Sequence, residues 1–478
     1  MIDHSRLMTT IERTWDDSIV PTLCDYVRIP NKSQNFDPQW AEHGYMDQAA
    51  ELMRRWCEAN ALPGMKVEIV RLPKCTPLLL VEIPAANGGS NDDCVLMYGH
   101  MDKQPEFTGW AEGLSPWNPV IRDGRLYGRG GADDGYAIFG SILAVRAIAE
   151  QGIAHSRCVI MIEAGEESGS PDLPAYIDAL ADRIGKPSLV VCLDAECGNY
   201  DQFWCTTTLR GNLVGTLRVE VLKEGVHSGM ASGIVPSSFR IIRQLLSRIE
   251  DPETGRMLVA ELHADIPQDR LTQARAVAKT LGGIVQGKVP LLPGMRAMSD
   301  EPLELILNST WRPMLSTTGV DGIPPVQSAG NVLRPMTGLV LSIRLPPGVD
   351  PKGAADAVKT TLERDPPYGA MVNFKIESSM GGWNAPSNAR WLESAAQEAS
   401  QACFGADAMY MGTGGSIPFM AMLSEKFPGV QFVVTGVLGP QSNAHGPNEF
   451  LDIATGKKVT GCVAYILAAH ARRERRES

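Results

Sequence analysis

The residues best suited to chemistry lie around one predicted strand and the glycine-rich turn that follows it. An apolar run from Cys94 leads to His100, Asp102 stands two residues further on, and the later turn carries Asp133 and Asp134. Imidazole nitrogen and carboxylate oxygen are common ligands of zinc, and a flanking carboxylate can orient a ligating histidine. The spacing therefore predicts a metal site, with Asp102 holding the imidazole of His100.

More residues of ligand type come later in the chain. Glu166 and Glu167 come one residue after an apolar run that ends at Ala164, Asp194 follows the next run, and His445 lies in the sequence GPQSNAHGPNE. Carboxylates clustered without a cation would repel one another. Five donors exceed the four that one tetrahedral zinc takes, which predicts two metal ions. The five predicted ligands are His100, Asp133, Glu167, Asp194 and His445.

The adjacent residues Glu166 and Glu167 suggest two different roles. One carboxylate binds metal, and its neighbour stays free to take a proton from a metal-activated water. Simpler explanations exist, since the pair can be a solvated helix start and Asp133 or Asp134 can be a helix N-cap.

Two other kinds of site are not supported by the sequence. A phosphate-binding loop at GRGGADDG is disfavoured, because the G-x-G-x-x-G spacing and the Lys-Ser/Thr of a P-loop are missing. No G-x-S-x-G motif supports a serine hydrolase.

The elements that must position these residues alternate between strand and helix. Apolar strands are predicted at 94–98, 157–164 and 188–193, with helices at 136–150 and 172–184 between them. This alternation is typical of an α/β fold with a mostly parallel sheet covered by helices. The carboxyl ends of parallel strands share one edge of the sheet, which brings the candidate ligands together.

The pattern changes near residue 206. The elements that follow are expected in the order β-α-β-β-α-β of the ferredoxin-like motif, at 213–221, 235–250, 327–334, 338–345, 351–364 and 370–377. A partly helical insert at 251–325 separates the first helix from the second strand. We therefore predict an inserted α+β domain at 207–382 and a catalytic domain formed by 1–206 and 383–478.

Composition narrows the class of protein. The 478 residues fit two or more domains, and the net charge of −11 disfavours nucleic acid as a partner. No apolar run reaches the length of a membrane span, and the N-terminal residues lack the features of a secretory signal. The ten cysteines form no C-x-x-C pair, so we expect reduced thiols in a cytoplasmic protein.

Seven motifs together resemble the di-zinc exopeptidase family of carnosine-type dipeptidases, carboxypeptidase G and amino-acid deacylases. In chain order they are YGHMD, YGRGGADDG, EAGEESGS, LDAE, GVHSGMASG, GTGGSIP and GPQSNAHGPNE. The likeness runs from about residue 90 to 450 and is nearest to the cytosolic dipeptidase branch. It implies an α/β catalytic domain interrupted by a ferredoxin-like lid and dimerisation domain.

The resemblance also implies how the five ligands are shared. Asp133 is expected to bridge both ions. His100 and Asp194 complete one metal site, and Glu167 and His445 complete the other. Zinc is the expected metal, with manganese or cobalt as alternatives.

Further roles follow from the same resemblance. Glu166 is the expected general base, with Asp102 in support of the site. His227 would polarise the scissile carbonyl from the neighbouring subunit of a homodimer. Arg344 would grip the carboxylate of the substrate, in a pocket also lined by Gly414, Gly415 and Ser416.

Two departures from the family pattern concern substrate choice and one ligand. Many relatives have Lys-Gly after the two acids of the turn, where this chain has Gly135 and Tyr136. Glu196, two residues after Asp194, can compete with it as a ligand.

The expected function is hydrolysis of the amide bond of a dipeptide, or a similar small peptide, with a free C-terminal carboxylate. The alternatives are an N-acyl-amino-acid deacylase, a glutamate carboxypeptidase, or an inactive protein that binds metal. We expect neither nucleic acid nor membrane as a partner.

Overall fold

The structure is a computed structural model that describes residues 1–287 and 289–473. The chain divides into two compact units. The first comprises Met1–Thr207, Ala385–Met411 and the chain from Met422 onward, and the second comprises Thr208–Asn384 and Gly412–Ala421. The domain boundaries drawn from the sequence stay predictions. Residues 474–478 of the predicted catalytic domain and residue 288 of the insert lie outside the described residues.

The described residues form strands β1 to β18 and helices α1 to α16 in chain order. The strands are β1 Lys66–Val70, β2 Leu78–Ile83, β3 Cys94–His100, β4 Val120–Arg122, β5 Arg125–Tyr127, β6 Arg157–Glu163, β7 Pro187–Cys192, β8 Trp204–Leu209, β9 Gly211–Glu220, β10 Val226–His227, β11 Met314–Asp321, β12 Val332–Leu333, β13 Met336–Leu345, β14 Met371–Met380, β15 Trp383–Asn384, β16 Met409–Thr413, β17 Gln431–Val434 and β18 Phe450–Asp452. The α-helices are α1 His4–Thr14, α2 Val20–Val27, α3 Trp40–His43, α4 Tyr45–Ala59, α5 Ala137–Ala149, α6 Leu173–Ala179, α7 Ala181–Ile184, α8 Ser228–Ala231, α9 Ser238–Leu246, α10 Gln268–Leu281, α11 Ile284–Gly287, α12 Pro302–Thr310, α13 Pro351–Glu363, α14 Arg390–Phe404, α15 Pro418–Lys426 and α16 Ile453–Arg472.

The first unit is built on a mixed sheet in the order β1-β2-β6-β3-β7-β17. Strands β6, β3, β7 and β17 run parallel, and β1 and β2 are antiparallel additions at one edge. Every residue of β3 is buried, because helices such as α4 and α5 cover the sheet. A strand buried on both faces needs apolar side chains throughout, which is why these strands are rich in Val, Ile, Leu and Met. The predicted mixed, mostly parallel α/β sheet is confirmed.

The second unit has an antiparallel sheet in the order β11-β13-β9-β14, on which α9 and α13 pack. The chain order β9-α9-β11-β13-α13-β14 is the predicted ferredoxin-like order. The predicted strand at 327–334 was wrong, since the second strand is β11 and lies inside the expected insert. The residues at 326–334 are largely exposed, with Val326 88% exposed, so they have no sheet to join beyond the short pairing of β12 with β10.

Among the described helices, none combines the length and apolarity that a bilayer crossing requires.

Candidate metal centre

The parallel strands of the first unit deliver most of the predicted ligands to one edge of the sheet. His100 ends β3, Glu166 and Glu167 lie in the turn after β6, and Asp194 follows β7. These three strands are neighbours in the order β6-β3-β7, so their carboxyl ends meet. Asp133 comes from the turn Gly131–Gly135 before α5, and His445 from the loop between β17 and β18.

Asp133 stands at the centre of the cluster. Its Oδ1 lies 3.1 Å from Nε2 of His100, and its Oδ2 lies 3.1 Å from Nε2 of His445. Each oxygen of one carboxylate thus faces a different imidazole. The peptide bond between Asp133 and Asp134 is cis.

Two more carboxylates complete two groups of donors that share Asp133. Oδ2 of Asp194 lies 3.7 Å from Nε2 of His100, and Oε2 of Glu167 lies 3.3 Å from Nε2 of His445. Within each group, one donor atom from every residue lies within 4.8 Å of the others. Imidazole and carboxylate donors at this spacing suit a divalent transition metal. Among the described residues, neither donor group includes Glu166 or Glu196.

Asp102 ties the first histidine to the turn that carries the two glutamates. Its carboxylate accepts the backbone N–H of Glu166 at 3.1 Å and that of Glu167 at 3.0 Å. Its backbone carbonyl lies 3.1 Å from Nδ1 of His100, and its Oδ1 lies 3.4 Å from the same nitrogen. When Nδ1–H donates to these oxygens and Nε2 carries no proton, the lone pair of Nε2 is free for a metal ion. Asp102 thus orients a ligand and fixes the adjacent turn.

A buried ion pair between Arg129 and Glu449 connects two parts of the cluster that are far apart in the sequence. Nη1 of Arg129 lies 2.6 Å from Oε2 of Glu449, whose Oε1 accepts the backbone N–H of Gly130 at 2.9 Å. Nη2 of Arg129 donates to the carbonyl oxygens of Gly446 at 2.8 Å and His445 at 3.3 Å. The clamp joins the turn before Asp133 to the loop of His445. That loop needs support, because His445 has a φ of 65°, which a non-glycine residue rarely adopts.

Burial shifts the pKa values of the carboxylates in this cluster when no cation is bound. Burial raises the pKa of Asp194 to about 6. Burial, with the charge of Asp194 next, raises the pKa of Glu166 well above its usual value, and burial with Asp133 does the same to Glu167. Burial opposes the charge of Asp133 as well, but hydrogen bonds from His100 and His445 hold its pKa below its usual range. Although burial opposes their charged forms, the neighbouring carboxylates raise the pKa of His100 and of His445, so the cluster favours positive charge, which divalent cations would supply.

The structure overturns the simpler explanation for the two acids of the turn. Helix α5 begins at Ala137 and no side chain caps its N-terminus, so neither Asp133 nor Asp134 is an N-cap. Asp134 is fully buried, and its Oδ2 accepts the backbone N–H of His100 at 3.3 Å. Both acids therefore serve the cluster, one through its donor oxygens and one through the backbone of a ligand.

The remaining predicted residues belong to the second unit. His227 ends β10, opposite Val332 of β12, and is exposed. Its Nδ1 accepts the backbone N–H of Gly229 at 3.1 Å. The ring proton must then sit on Nε2, which can donate it to a ligand.

Arg344 lies near the end of β13 and is half-buried. Its Nη1 donates to Oγ of Ser416 at 3.4 Å, and Oγ of Ser416 in turn donates to the carbonyl oxygen of Arg210. Burial lowers the pKa of Arg344, and no carboxylate of the described residues pairs with its guanidinium. Gly414 lies so close to Ser309 and Arg210 that a Cβ would come within 2.8 Å of the Ser309 carbonyl oxygen. The chain thus brings Arg344, Gly414 and Ser416 into one polar region of this unit, and adjacent Gly415 is exposed.

Comparison with known proteins decides the family. The model of peptidase family M20/M25/M40 matches residues 96–469, most of the chain. The chain belongs to this family. The predicted resemblance to metal-dependent exopeptidases is thereby confirmed, and the chain is a peptidase, an enzyme that hydrolyses amide bonds.

Similar proteins in this family include named dipeptidases. The cysteinylglycine-S-conjugate dipeptidase of Corynebacterium striatum is 29% identical over 75% of this chain and 77% of its own. The Beta-Ala-His dipeptidase of Homo sapiens is 25% identical over 86% of this chain and 82% of its own. A solved structure of the dipeptidase Dug1p from Saccharomyces cerevisiae has a TM-score of 0.80 and 20% identity, covering 99% of both chains, which shows a shared fold.

Sequence reasoning missed the residues that hold the ligands in place. Arg129 and Glu449 lie in quoted motifs, but 320 positions separate them, and nothing in the sequence indicated that they pair. Nε2 of Gln104 donates to Oε2 of Glu167 at 2.5 Å, a contact that was also not predicted. The position of Gln104, two residues after Asp102, was the only hint in the sequence that it could lie near the ligands.

Proposed function

We propose that this peptidase is a metal-dependent dipeptidase, which hydrolyses the amide bond of a dipeptide or a similar small peptide with a free C-terminal carboxylate. The observation that carries the proposal is Asp133, whose two oxygens face two different histidines. A carboxylate so placed suits a bridge between two ions. The names of the similar proteins favour a dipeptide as the substrate class.

Two divalent cations fit the donors of the first unit. We infer that His100 and Asp194 hold one and Glu167 and His445 the other, with Asp133 shared. Zinc suits mixed imidazole and carboxylate ligands, and manganese and cobalt are the alternatives. When bound, such ions polarise the scissile carbonyl and make the attacking water more acidic.

Glu166 is the proposed general base. Its carboxylate belongs to neither donor group, while its backbone N–H is anchored on Asp102. Burial, followed by the charge of Asp194, raises the pKa of Glu166, and positive charge beside it would return that pKa toward the neutral range in which a base works. Glu166 then takes a proton from the attacking water and delivers it to the leaving amine.

Arg344 is the proposed partner of the substrate carboxylate. Its guanidinium is half-buried and has no carboxylate partner among the described residues, which favours binding an anion. Ser416 positions one of its nitrogens, and the backbone at Gly414 and Gly415 offers further contacts without side-chain bulk. This arrangement supports exopeptidase action, because a free C-terminus is an anion.

His227 is the proposed oxyanion donor. Its Nδ1 is occupied by Gly229, which leaves Nε2–H to donate. We infer that it acts in the site of the neighbouring subunit of a homodimer. The ten free cysteines support the further proposal that the enzyme is cytoplasmic.

A substrate screen tests this function. After chelation and addition of zinc, manganese or cobalt, we expect dipeptides to be hydrolysed faster than N-acyl amino acids or N-acyl glutamates. Converting the C-terminal carboxylate of the best dipeptide to its amide should reduce kcat/KM by at least about 10²-fold, because Arg344 loses its partner. Preference for N-acyl amino acids would favour a deacylase, and preference for C-terminal glutamate a carboxypeptidase. Equal turnover of acid and amide would contradict exopeptidase action.

A further inference from the structure

A buried tyrosine hydroxyl holds the backbone beside one predicted ligand. Strand β7 ends at Cys192, so Asp194 lies beyond the paired part of the strand. Backbone pairing is weak there, since the N–H of Leu193 lies 3.4 Å from the carbonyl oxygen of Tyr98. The hydroxyl of Tyr136 donates to the carbonyl oxygen of Leu193 at 2.5 Å. Tyr136 is 0% exposed, so it fixes the backbone next to a ligand and does not contact a substrate.

A second tyrosine makes the same kind of contact beside a second ligand. His100 is the last residue of β3, and Met101 is the first residue beyond it. The hydroxyl of Tyr26, which is also 0% exposed, donates to the carbonyl oxygen of Met101 at 2.6 Å. Nδ2 of Asn31 donates to the same oxygen at 2.5 Å, so this oxygen has two donors. Each strand-end ligand of the donor group around His100 thus has a tyrosine hydroxyl on an adjoining carbonyl.

The departure from the family pattern at 135–136 makes both contacts possible. Tyr136 is itself one of the two departing residues. The other, Gly135, leaves room for Tyr26, because a Cβ at position 135 would lie 2.3 Å from the ring carbon Cε1 of Tyr26. A lysine in this place would therefore displace the ring of Tyr26. Glycine and tyrosine at these two positions act together on the backbone of the metal centre.

The ring of Tyr136 is held in place by packing. It lies against the ring of Trp15, with centroids 6.5 Å apart. Trp15 is itself buried, and its Nε1 donates to Oγ1 of Thr460 on α16 at 3.2 Å. A side chain fixed by its neighbours delivers its hydroxyl to one position, which a residue that supports a metal ligand requires.

The other donor group is held by different contacts. Asp102 accepts the backbone N–H of Glu167, and Gln104 donates to the Glu167 carboxylate. Arg129 donates to the carbonyl oxygen of His445. Among the described residues, neither tyrosine hydroxyl is bonded to this group. Loss of a tyrosine hydroxyl should therefore affect one ion and spare the other.

We propose that Tyr136 and Tyr26 are positioning residues for one of the two proposed ions. That ion is the one assigned to His100, Asp133 and Asp194. By fixing the backbone beside two ligands, the tyrosines reduce the freedom that those ligands lose when the ion binds. Tyr136 has the larger effect, because the acceptor of Tyr26 has a second donor. The inference rests on the proposed two-ion centre and concerns one half of it.

Cobalt binding to full-length chains with a single intact donor group tests the proposal. Glu167→Gln leaves the group around His100 intact, and Asp194→Asn leaves the other group intact. In the Glu167→Gln chain, Tyr136→Phe should raise the cobalt Kd at least about tenfold, and Tyr26→Phe by a smaller factor. In the Asp194→Asn chain, neither substitution should change the Kd. Competition with a chelator, followed by the visible absorption of bound cobalt, measures these constants.

Tyr176→Phe is the matched control. The hydroxyl of Tyr176 is also buried and donates to a backbone carbonyl oxygen, that of Thr76 at 2.6 Å, which adjoins no predicted ligand. Urea titration of the metal-free chains should show that Tyr176→Phe and Tyr136→Phe lose similar unfolding free energy. Tyr176→Phe should nevertheless leave the cobalt Kd unchanged in both single-group chains.

Two outcomes would overturn the proposal. One is an equal effect of Tyr136→Phe and Tyr176→Phe on the cobalt Kd, and the other is an equal weakening at both donor groups by Tyr136→Phe. The number of ions that the wild-type chain binds tests the proposed two-ion centre separately. The proposed centre and the role of the tyrosines can therefore fail independently.

Discussion

The predicted ligands of the first unit and the predicted substrate residues of the second unit are held in contrasting ways. His100 and Asp133 are buried and contact several partners each. Within the described chain, the exposed imidazole of His227 makes one hydrogen bond, and the guanidinium of Arg344 makes one long hydrogen bond, to Ser416. The first set is organised by its own unit before any substrate arrives. The second set keeps free donors, which suits groups that are completed by a substrate or by another chain.

The largest expected effect comes from the centre of the first set. Asp133→Ala removes the only carboxylate shared by the two donor groups of the described chain, so activity should fall to the background rate. The variant should also lose both ions, which metal analysis of the purified protein measures. Asp182→Ala, an exposed acid of the same unit, is the matched control and should keep activity and metal. Retention of full activity by Asp133→Ala would show that the centre is not a bridged pair.

The next largest effect distinguishes the proposed roles of Glu166 and Glu167. Glu166→Gln keeps the shape of the side chain but cannot accept a proton, so kcat should fall by about 10²–10⁴ while metal content holds. Glu167→Gln should instead weaken metal binding, because its oxygen faces His445. If the effects on metal content are reversed, the roles of the two residues are exchanged. Near-normal turnover of Glu166→Gln would remove it from the mechanism.

The second unit is tested by mixing two inactive chains. If His227 serves the neighbouring subunit, a heterodimer of Glu166→Gln and His227→Ala contains one site with both residues intact. Random subunit exchange makes half of the dimers mixed, so roughly a quarter of wild-type activity should return. Each variant exchanged with itself is the control. No recovery, with exchange verified by mass spectrometry, would mean that His227 does not act in the partner's site.

The smallest expected effect concerns the free energy of unfolding that is lost by burying Glu163 in the first unit. Burial raises the pKa of Glu163 to about 7 in the metal-free chain, although Tyr98 and Ser170 donate hydrogen bonds to it. The folded chain then binds more protons than the unfolded chain between about pH 4 and pH 7, so this residue costs stability as pH rises through that window. Relative to Glu163→Gln, the metal-free wild type should lose on the order of 3 kcal/mol of unfolding free energy from pH 4 to pH 8. Urea titrations measure the difference, and a constant difference across this range would contradict it.

The two units also differ in how well the sequence predicted them. In the first, long apolar runs end in ligand residues, and the geometry of parallel strands explains why those ends meet. In the second, strand β11 was missed and 327–334 was mistaken for a strand, because short half-exposed runs resemble one another in sequence. The Arg129–Glu449 pair could not be predicted either, since its position depends on where a distant loop returns to the sheet.

The central claim is that one carboxylate, Asp133, joins two metal sites in the first unit. Metal analysis of the purified, active wild-type chain tests it most directly, with zinc, manganese and cobalt counted against protein concentration. The account predicts about two ions per chain, and X-ray absorption spectroscopy should find them ~3.5–4 Å apart. A chelator should remove the ions and the activity together. Full activity in a chain that holds one ion or none would contradict the account.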